Sequence, residues 1–211
     1  MTQTIARRRK TQRRSSDIIL SNIFINNSFI CATDEAKLFY YPIETSISTV
    51  GLSKQIFPIL TSTNCRLGAF NNNILIEFDG GYSVFTSSIM DYYPSQDILT
   101  FVSTINESKI ELCEMSQLKD AMDKLSPIFF GESIQVMDIL NKGNKLIISA
   151  QSSVHGKSEI ITTSSLVTKF NTQLNINQLR AIPLEYKVYI SNVKNDLLLF
   201  SDEATIIIVR S

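Results

Sequence analysis

The chain has 211 residues, 44% of them hydrophobic, which is enough to bury the core of one large or two small domains. No apolar run reaches the ~18 residues that a transmembrane helix needs, so we expect a soluble, cytoplasmic protein without membrane partners. Cys31, Cys65 and Cys113 are scattered and odd in number, which favours free thiols in a reducing compartment over a disulfide framework.

The formal net charge of zero conceals a basic segment followed by an acidic body. Six basic residues precede the first acid, Asp17, and the remaining chain has 14 basic against 20 acidic residues, a net charge of −6. This distribution predicts a surface that faces a polyanion. Three interpretations of this basic segment are open: a DNA-facing helix, a flexible tail or a targeting segment. The absence of the apolar stripe of a transit helix argues against targeting. The basic residues of the segment are Arg7, Arg8, Arg9, Lys10, Arg13 and Arg14.

The sequence repeats itself in outline. Residues 16–44 and 133–162 both read as a strand, an Asn-containing turn, a second strand, a polar turn and a third strand. Residues 52–60 and 74–88 correspond in the same way to 176–184 and 197–211. A period of about 120 residues is too long for a solenoid and matches a whole domain. We therefore expect two similar domains.

In the first half, runs rich in Ile, Phe and Tyr alternate with turn residues, and residues 4–14 are compatible with a helix. Leu52, Ile56 and Ile59 share one face and predict a short helix over 52–60, which Pro58 limits. The predicted strands are 18–25, 28–33, 37–43, 65–70, 73–79 and 82–88, with Asp79-Gly80-Gly81 as a hairpin turn.

In the second half, an apolar stripe predicts a helix over 115–126, because Leu118, Ala121, Met122 and Leu125 occupy positions i, i+3, i+4 and i+7. Separated helices among short strands predict antiparallel α+β domains with helices on one face of the sheets. A weaker helix is expected over 175–183. The predicted strands are 98–105, 108–114, 133–140, 145–151, 157–163, 166–173, 186–193, 196–201 and 204–210.

Three short motifs, in this order, resemble the DNA sliding clamps, and most closely the second and third domains of the bacterial DNA polymerase III beta subunit. The first is similar to the bacterial pattern of Ala-Thr-Asp, two variable residues, a basic residue and Leu. The second is similar to a strand that ends in Thr-Ser before a Tyr- and Pro-containing run, and the third to the final strand. They are Ala32–Leu38, Phe85–Leu99 and Ile206–Arg210, and the resemblance covers the chain from residue 16.

The resemblance implies an α+β DNA-clamp fold with two similar domains, residues 1–109 and 110–211. Each domain consists of repeated β-α-β-β-β half-units, with antiparallel sheets outside and helices on the inner face. The first strand expected before the first helix is missing ahead of the basic segment. The bacterial chain has three domains and closes a ring as a dimer. A two-domain, phage-like chain that keeps the six-domain ring is therefore expected to form a homotrimer.

The resemblance also implies a function. A sliding clamp is a processivity factor that encircles double-stranded DNA without reading its sequence and tethers DNA polymerase and other replication proteins. No cofactor or catalysis is expected, since His155 lies alone in a turn and no phosphate-binding or metal-binding motif is present. The implied DNA-binding residues are Arg7, Arg8, Lys10, Arg13, Arg14, Lys54, Lys119, Lys124 and Arg180.

The bacterial clamps bind short linear motifs of polymerases and the clamp loader in a hydrophobic groove. An apolar cleft with a basic rim suits a peptide with apolar anchors and an acidic or polar end. Glu35 and Ala36 replace the Gly and His usual in the first motif, so the preferred peptide is expected to differ. The implied groove residues are Thr33, Lys37, Leu38, Pro94, Ile98, Leu99, Ile207 and Val209.

Two alternatives stay open at this point. A clamp-like adaptor that keeps the fold but not the ring would bind DNA through a flexible basic tail. An unrelated all-β nucleic-acid-binding module explains the basic segment but not the repeated half-units.

Replacing all six basic residues of the segment with Gln is expected to weaken DNA association and leave the fold intact. The slope of the logarithm of the binding constant against the logarithm of salt concentration should flatten by about 0.9 for each lost phosphate contact. Fluorescence anisotropy with a duplex of random sequence measures this slope. An unchanged slope excludes the segment from a DNA-facing role.

Overall fold

The structure is a computed structural model, and the chain divides into two compact units, residues 1–96 and 97–211. The sequence predicted a domain boundary after residue 109, whereas the two units divide after residue 96. The predicted basic helix and residues 54 and 56–60 lie outside the described residues. The described residues are 22–34, 37–47, 49–53, 55, 65–70, 73–78, 80–81, 83–87, 93–133, 135–166, 168–180, 182–191, 197–201 and 205–209.

Unit 1 contains two antiparallel sheets. The first has the strand order β4-β1-β2-β3, and the second has the order β5-β6-β7. The first three strands form a meander, as the repeat predicted, and Gly80 and Gly81 close the β6–β7 hairpin with positive φ angles. The strands are β1 (Asn22–Ile25), β2 (Phe29–Asp34), β3 (Lys37–Pro42), β4 (Val50–Ser53), β5 (Cys65–Phe70), β6 (Asn73–Phe78) and β7 (Ser83–Ser87).

Unit 2 also contains two antiparallel sheets, with strand orders β15-β14-β13-β8 and β11-β10-β9-β12. A helix, α1 (Ser95–Ser108), begins at the end of unit 1 and leads into the first strand. The other elements are β8 (Lys109–Glu114), α2 (Met115–Leu125), a 3-10 turn (Ser126–Phe129), β9 (Val136–Lys142), β10 (Lys145–Ser152), β11 (Gly156–Thr163), β12 (Phe170–Asn175), α3 (Ile176–Arg180), β13 (Lys187–Ser191), β14 (Leu197–Ser201) and β15 (Thr205–Val209).

Unit 2 is built from two β-α-β-β-β half-units that exchange their first strands. β8 begins the first half-unit but pairs with β13 of the second, whereas β12 begins the second half-unit but pairs with β9 of the first. Each four-stranded sheet therefore combines three strands of one half-unit with one strand of the other. This arrangement confirms the α+β class with antiparallel sheets that the sequence predicted.

The two helices of these half-units start in the same way. The backbone N–H of Glu114 donates to Oε1 of Gln117 at 3.1 Å, and that of Asn175 donates to Oε1 of Gln178 at 3.3 Å. A Gln side chain in the first turn thus satisfies a backbone donor that a helix N-terminus leaves unpaired. The next residue of each helix, Leu118 or Leu179, is fully buried in the shared core.

Two sequence predictions are wrong. Leu52 does not begin a helix; it lies in β4, where it pairs with Ile23 and is 1% exposed. Residues 98–105 form part of α1 rather than a strand. Their Ile, Thr, Phe and Val content favours a strand by propensity. However, the buried residues Val102 and Ile105 are three apart, which is a helical spacing that a strand cannot place on one face.

Leu118→Ala and Leu179→Ala are each expected to lower the free energy of unfolding by about 2–5 kcal/mol, because both side chains are fully buried in one core. Ser116→Ala, at an exposed position of α2, is the matched control and should have little effect. Urea unfolding measures all three values. A large loss for Leu118 and none for Leu179 would contradict the equivalence of the half-units.

Candidate functional site

Helices α2 and α3 carry three of the cations that the resemblance assigned to DNA. The two helices lie next to each other in unit 2 and bury their apolar sides in its core. Lys119 is half-buried on α2, whereas Lys124 on α2 and Arg180 at the end of α3 are exposed. The structure therefore places these three cations on adjacent helices.

This helix pair is nearly neutral. Lys124 Nζ lies 2.6 Å from a carboxylate oxygen of Asp120, one helical turn away. Asp123 is exposed on the same helix, and Arg180 donates to Oε1 of Gln135 at 3.5 Å. Three cations and two carboxylates leave a net charge of +1 on α2 and α3. Asp120 competes with any phosphate for Lys124, which weakens the attraction of this surface for DNA.

The remaining cations that the sequence assigned to DNA lie outside the described residues. They are Arg7, Arg8, Lys10, Arg13, Arg14 and Lys54.

Three of the residues assigned to a partner groove come together at the β2–β3 hairpin of unit 1. Thr33 pairs with Leu38 across the two strands, and its hydroxyl donates to the carbonyl of Lys37 at 2.8 Å. Thr33, Lys37 and Leu38 are all half-buried, as is Pro94, which immediately precedes α1. Leu38 shares a face of the hairpin with Thr33, whereas Lys37, the preceding residue of the strand, points to the opposite face.

The β2–β3 hairpin continues into a buried layer that the sequence did not predict. Ile25 and Ile30 point into the core of unit 1, so Phe24, Phe29 and Cys31 point to the opposite, outer face of the sheet. These three side chains are nevertheless 3%, 0% and 0% exposed. The sheet is therefore covered on both faces, and Thr33 and Leu38 lie on the covered outer side.

Aromatic contacts form this layer, which we call the outer-face cluster: Phe24, Phe29, Cys31, Tyr40 and Tyr93. The rings of Phe24 and Tyr93 stack with their centroids 3.6 Å apart and an interplanar angle of 13°. Phe29 and Tyr40 lie 5.3 Å apart in a tilted arrangement. Such pairs stabilise a fold beyond the area that they bury. Tyr93 stands two residues before α1, so the cluster anchors the segment that leads into this helix.

Burial keeps the polar groups of the cluster neutral. It raises the pKa of the Cys31 thiol to about 11, although the neighbouring Tyr93 hydroxyl partly opposes this shift. Burial, together with Cys31, also raises the pKa of Tyr93. Because ionisation is disfavoured in the folded state, the stability that these groups contribute is complete below about pH 9. For Cys31 it is lost as the pH rises towards 11.

The unit 2 residues assigned to the groove differ in accessibility. Ile98 and Leu99 are half-buried on α1, whereas Ile207 on β15 is only 1% exposed. The side chain of Val209 lies outside the described residues. A residue as buried as Ile207 cannot contact a ligand unless whatever covers it moves.

Other candidate sites are absent from the described part of the chain. No group of three His, Cys, Asp or Glu residues there could hold a metal ion, and no helix there is long and apolar enough to cross a membrane. His155 is exposed in the β10–β11 turn, where its Nε2 lies 3.1 Å from the carbonyl oxygen of Phe130. Cys31 and Cys113 are buried free thiols, and Cys65 is half-buried.

Tyr93→Phe is expected to leave stability unchanged or slightly raise it, because the buried Tyr93 hydroxyl has no oxygen or nitrogen partner among the residues that the structure describes. Tyr93→Ala removes the stack on Phe24 and should cost about 2–3 kcal/mol, less than a fully buried ring. Thermal and urea unfolding of the two variants test this difference. Equal losses for both would mean that the hydroxyl, rather than the ring, anchors the segment.

No protein-family model and no curated protein matches the sequence of this chain. Solved structures of bacterial sliding clamps do match its fold. The sliding clamp of Caulobacter crescentus aligns with a TM-score of 0.72 at 11% identity, covering 92% of this chain and 58% of that one. The clamp of Bacillus subtilis aligns with a TM-score of 0.70 at 14% identity, covering 92% and 57%. The DNA polymerase III subunit beta of Pseudomonas aeruginosa aligns with a TM-score of 0.68 at 12% identity, covering 91% and 58%.

The chain therefore spans somewhat more than half the length of the clamps that it matches. At identities this low the likeness concerns the fold alone. The chain has a clamp-like α+β fold of antiparallel sheets and few helices, as its motifs predicted.

Proposed function

We propose that this chain is a sliding clamp, a non-enzymatic processivity factor that encloses duplex DNA and tethers a DNA polymerase. The observation that carries the proposal is the likeness of both units, over 91–92% of the chain, to bacterial clamps. Enclosure makes dissociation depend on opening a ring, so a clamp needs only weak, sequence-independent contacts with DNA.

The charges of unit 2 are compatible with sliding. A helix surface with a net charge of +1 holds phosphates weakly, so it opposes movement along DNA little. In this proposal the basic segment at Arg7–Arg14 supplies most of the attraction, and Lys54, Lys119, Lys124 and Arg180 supplement it. The acidic remainder of the chain, with a net charge of −6, disfavours DNA on other surfaces.

Ring formation requires association of several copies. Because the chain spans 57–58% of clamps that the resemblance describes as three-domain chains, three copies supply the six domains of a closed ring. Strand β11 has eight residues and pairs only with β10 within the described residues, and we propose that its other edge pairs with another copy. We therefore propose a homotrimer.

Partner proteins are proposed to bind on the outer faces of the sheets. In unit 1, Thr33 and Leu38 supply contacts on the outer face of the β2–β3 hairpin, and Pro94 and the basic Lys37 are proposed to contribute to the same interaction. In unit 2, Ile98, Leu99, Ile207 and Val209 supply apolar contacts. Short peptide motifs of a DNA polymerase and a clamp loader, with apolar anchors and an acidic or polar end, have the complementary chemistry.

A clamp-like adaptor without a ring is the second candidate. The ion pair between Lys124 and Asp120 favours this candidate, because the Asp120 carboxylate neutralises Lys124 and so reduces the attraction of this helix surface for DNA. In this alternative only the basic segment contacts DNA, and the protein remains a monomer.

A threading experiment separates the two functions without a clamp loader. Linear duplex DNA with free ends is incubated with the protein, its ends are then blocked with biotin-bound streptavidin, and the salt concentration is raised. A ring is expected to stay on the blocked DNA and to leave after a restriction enzyme cuts it. DNA that is blocked before the protein is added should retain none.

Native mass spectrometry provides the complementary measurement. A particle near three times the 23.8 kDa chain mass is expected for the ring. A monomer whose retention on DNA is lost at high salt, whether or not the ends are blocked, would instead support the adaptor.

A further inference from the structure

The outer face of β15 in unit 2 is buried, although it points away from the core. Ile208 belongs to the core of unit 2, and successive side chains of a strand point to opposite faces, so Ile207 lies on the outer face. Ile207 is nevertheless 1% exposed, and Thr205 on the same face is 6% exposed. Another part of the protein must therefore cover this face.

The buried strip continues across the sheet towards β8. Val188 and Ile190 of β13 point into the core, so Ser191 points outward, yet it is 0% exposed. At the other end of β13 the outer face is open, since the side chains of Lys187 and Glu111 are 44% and 37% exposed in their 3.1 Å ion pair. On β15, however, the buried Thr205 lies level with Lys187 through Ser201 of β14, and Ile207 lies level with Tyr189 through Leu199. The buried positions therefore run diagonally across the sheet, from the end where β8 begins towards Thr205.

Helix α1 is the described element that fits this cover. Among the described residues of unit 2, the buried apolar side chains outside the main core are Val102 and Ile105 of α1 and Ile207 itself. The helix ends at Ser108, directly before β8, which lies three strands away from β15. Ile98 lies about 16 Å along the helix from Lys109, and three strand spacings with an offset of two residues along the strands give a diagonal of about 16 Å from Lys109 to Ile207. A helix that folds back diagonally across the sheet thus reaches Ile207 with its first turns.

The first turns of α1 have the composition proposed for a partner peptide. The exposed polar Gln96 and acidic Asp97 come first, followed by the half-buried apolar residues Ile98, Leu99 and Phe101. Within unit 1, the stack of Tyr93 on Phe24 holds the segment immediately before the helix.

Two features of the sequence of α1 lower the stability of this helix. Its centre contains Val102, Ser103, Thr104 and Ile105, which are mediocre helix formers. Its last turn contains Glu107 and no basic residue, which is unfavourable at the negative end of the helix dipole.

We propose that α1 is a built-in occupant of the partner surface of unit 2. It covers the outer face of β15 until a peptide with a similar order of polar, acidic and apolar residues displaces it. The identity of the displacing peptide as a replication-protein motif rests on the proposed function, whereas the covering of β15 by α1 does not. A partner that binds here must compete with α1, so its affinity depends on the stability of this helix.

Two matched double variants change that stability in opposite directions. Ser103 and Thr104 are exposed on α1 and are replaced together, either by Gly or by Ala. Both variants lose the same two side-chain hydrogen bonds, those to Glu107 and to the Thr100 carbonyl. At each position, Ala favours the helix over Gly by about fivefold in the equilibrium constant for helix formation. The two variants therefore differ by about 25-fold in this equilibrium constant.

The probe is a fluorescein-labelled peptide with the sequence of residues 93–108, and its binding is measured by fluorescence anisotropy without DNA. The Gly variant is expected to bind it about 20-fold more tightly than the Ala variant. A peptide carrying Val102→Asp and Ile105→Asp should bind neither. Equal affinities for the two variants, binding of the Asp peptide, or no binding to either variant would overturn the proposal.

Hydrogen exchange provides a second measurement on the same proteins. Amides of α1 and β15 should exchange faster in the Gly variant than in the Ala variant, while those of α2 stay unchanged as an internal control. Faster exchange in α1 alone, with β15 still protected, would contradict the covering role. Neither measurement uses DNA. A negative result in either would therefore contradict the role proposed for α1 without bearing on the result of the threading experiment.

Discussion

The exchange of first strands between half-units is the constraint on which the rest of unit 2 depends. Since β8 completes the sheet of the second half-unit and β12 that of the first, neither half-unit has a complete sheet by itself. The helices that follow these strands, α2 and α3, are thereby brought next to each other over one core. Their side-by-side placement, which puts Lys119, Lys124 and Arg180 on adjacent helices, is a consequence of strand pairing rather than of contacts between the charged residues.

Burial on both faces of the sheets is the second organising feature. Antiparallel sheets commonly leave one face to solvent, yet Phe24, Phe29 and Cys31 in unit 1 and Ser191 and Ile207 in unit 2 are buried away from their cores. An apolar outer face needs a cover, and a cover made of a weakly helical segment can be exchanged for a ligand of similar chemistry. In the proposed arrangement, the same apolar face would stabilise the free protein and bind a partner.

The positive charge of the chain is concentrated in one segment rather than spread over the helix surface of unit 2. The helix surface of unit 2 holds almost no net charge, because Asp120 and Asp123 offset its lysines. The basic segment contains six cations within eight residues. In a protein that encloses DNA, long-range attraction helps association, whereas tight contacts to particular phosphates hinder sliding. Placing the two properties in different segments allows both, and the same separation also suits an adaptor with a basic tail.

Much of the architecture was predictable from the sequence alone, because local patterns determine it. The repeat of strand meanders, the stripe of Leu118, Ala121 and Leu125 in α2, and the Gly80-Gly81 turn follow from side-chain periodicity and backbone freedom within a few residues. Tertiary structure decided the features that depend on distant partners. Leu52 joins a strand because β1 pairs with it, residues 95–108 form a helix because one side of them is buried, and Ile207 is covered although the motif alone marked it as accessible. A short apolar run in the sequence indicates that its side chains will be buried. It does not indicate which part of the protein they pack against, because that depends on the tertiary structure.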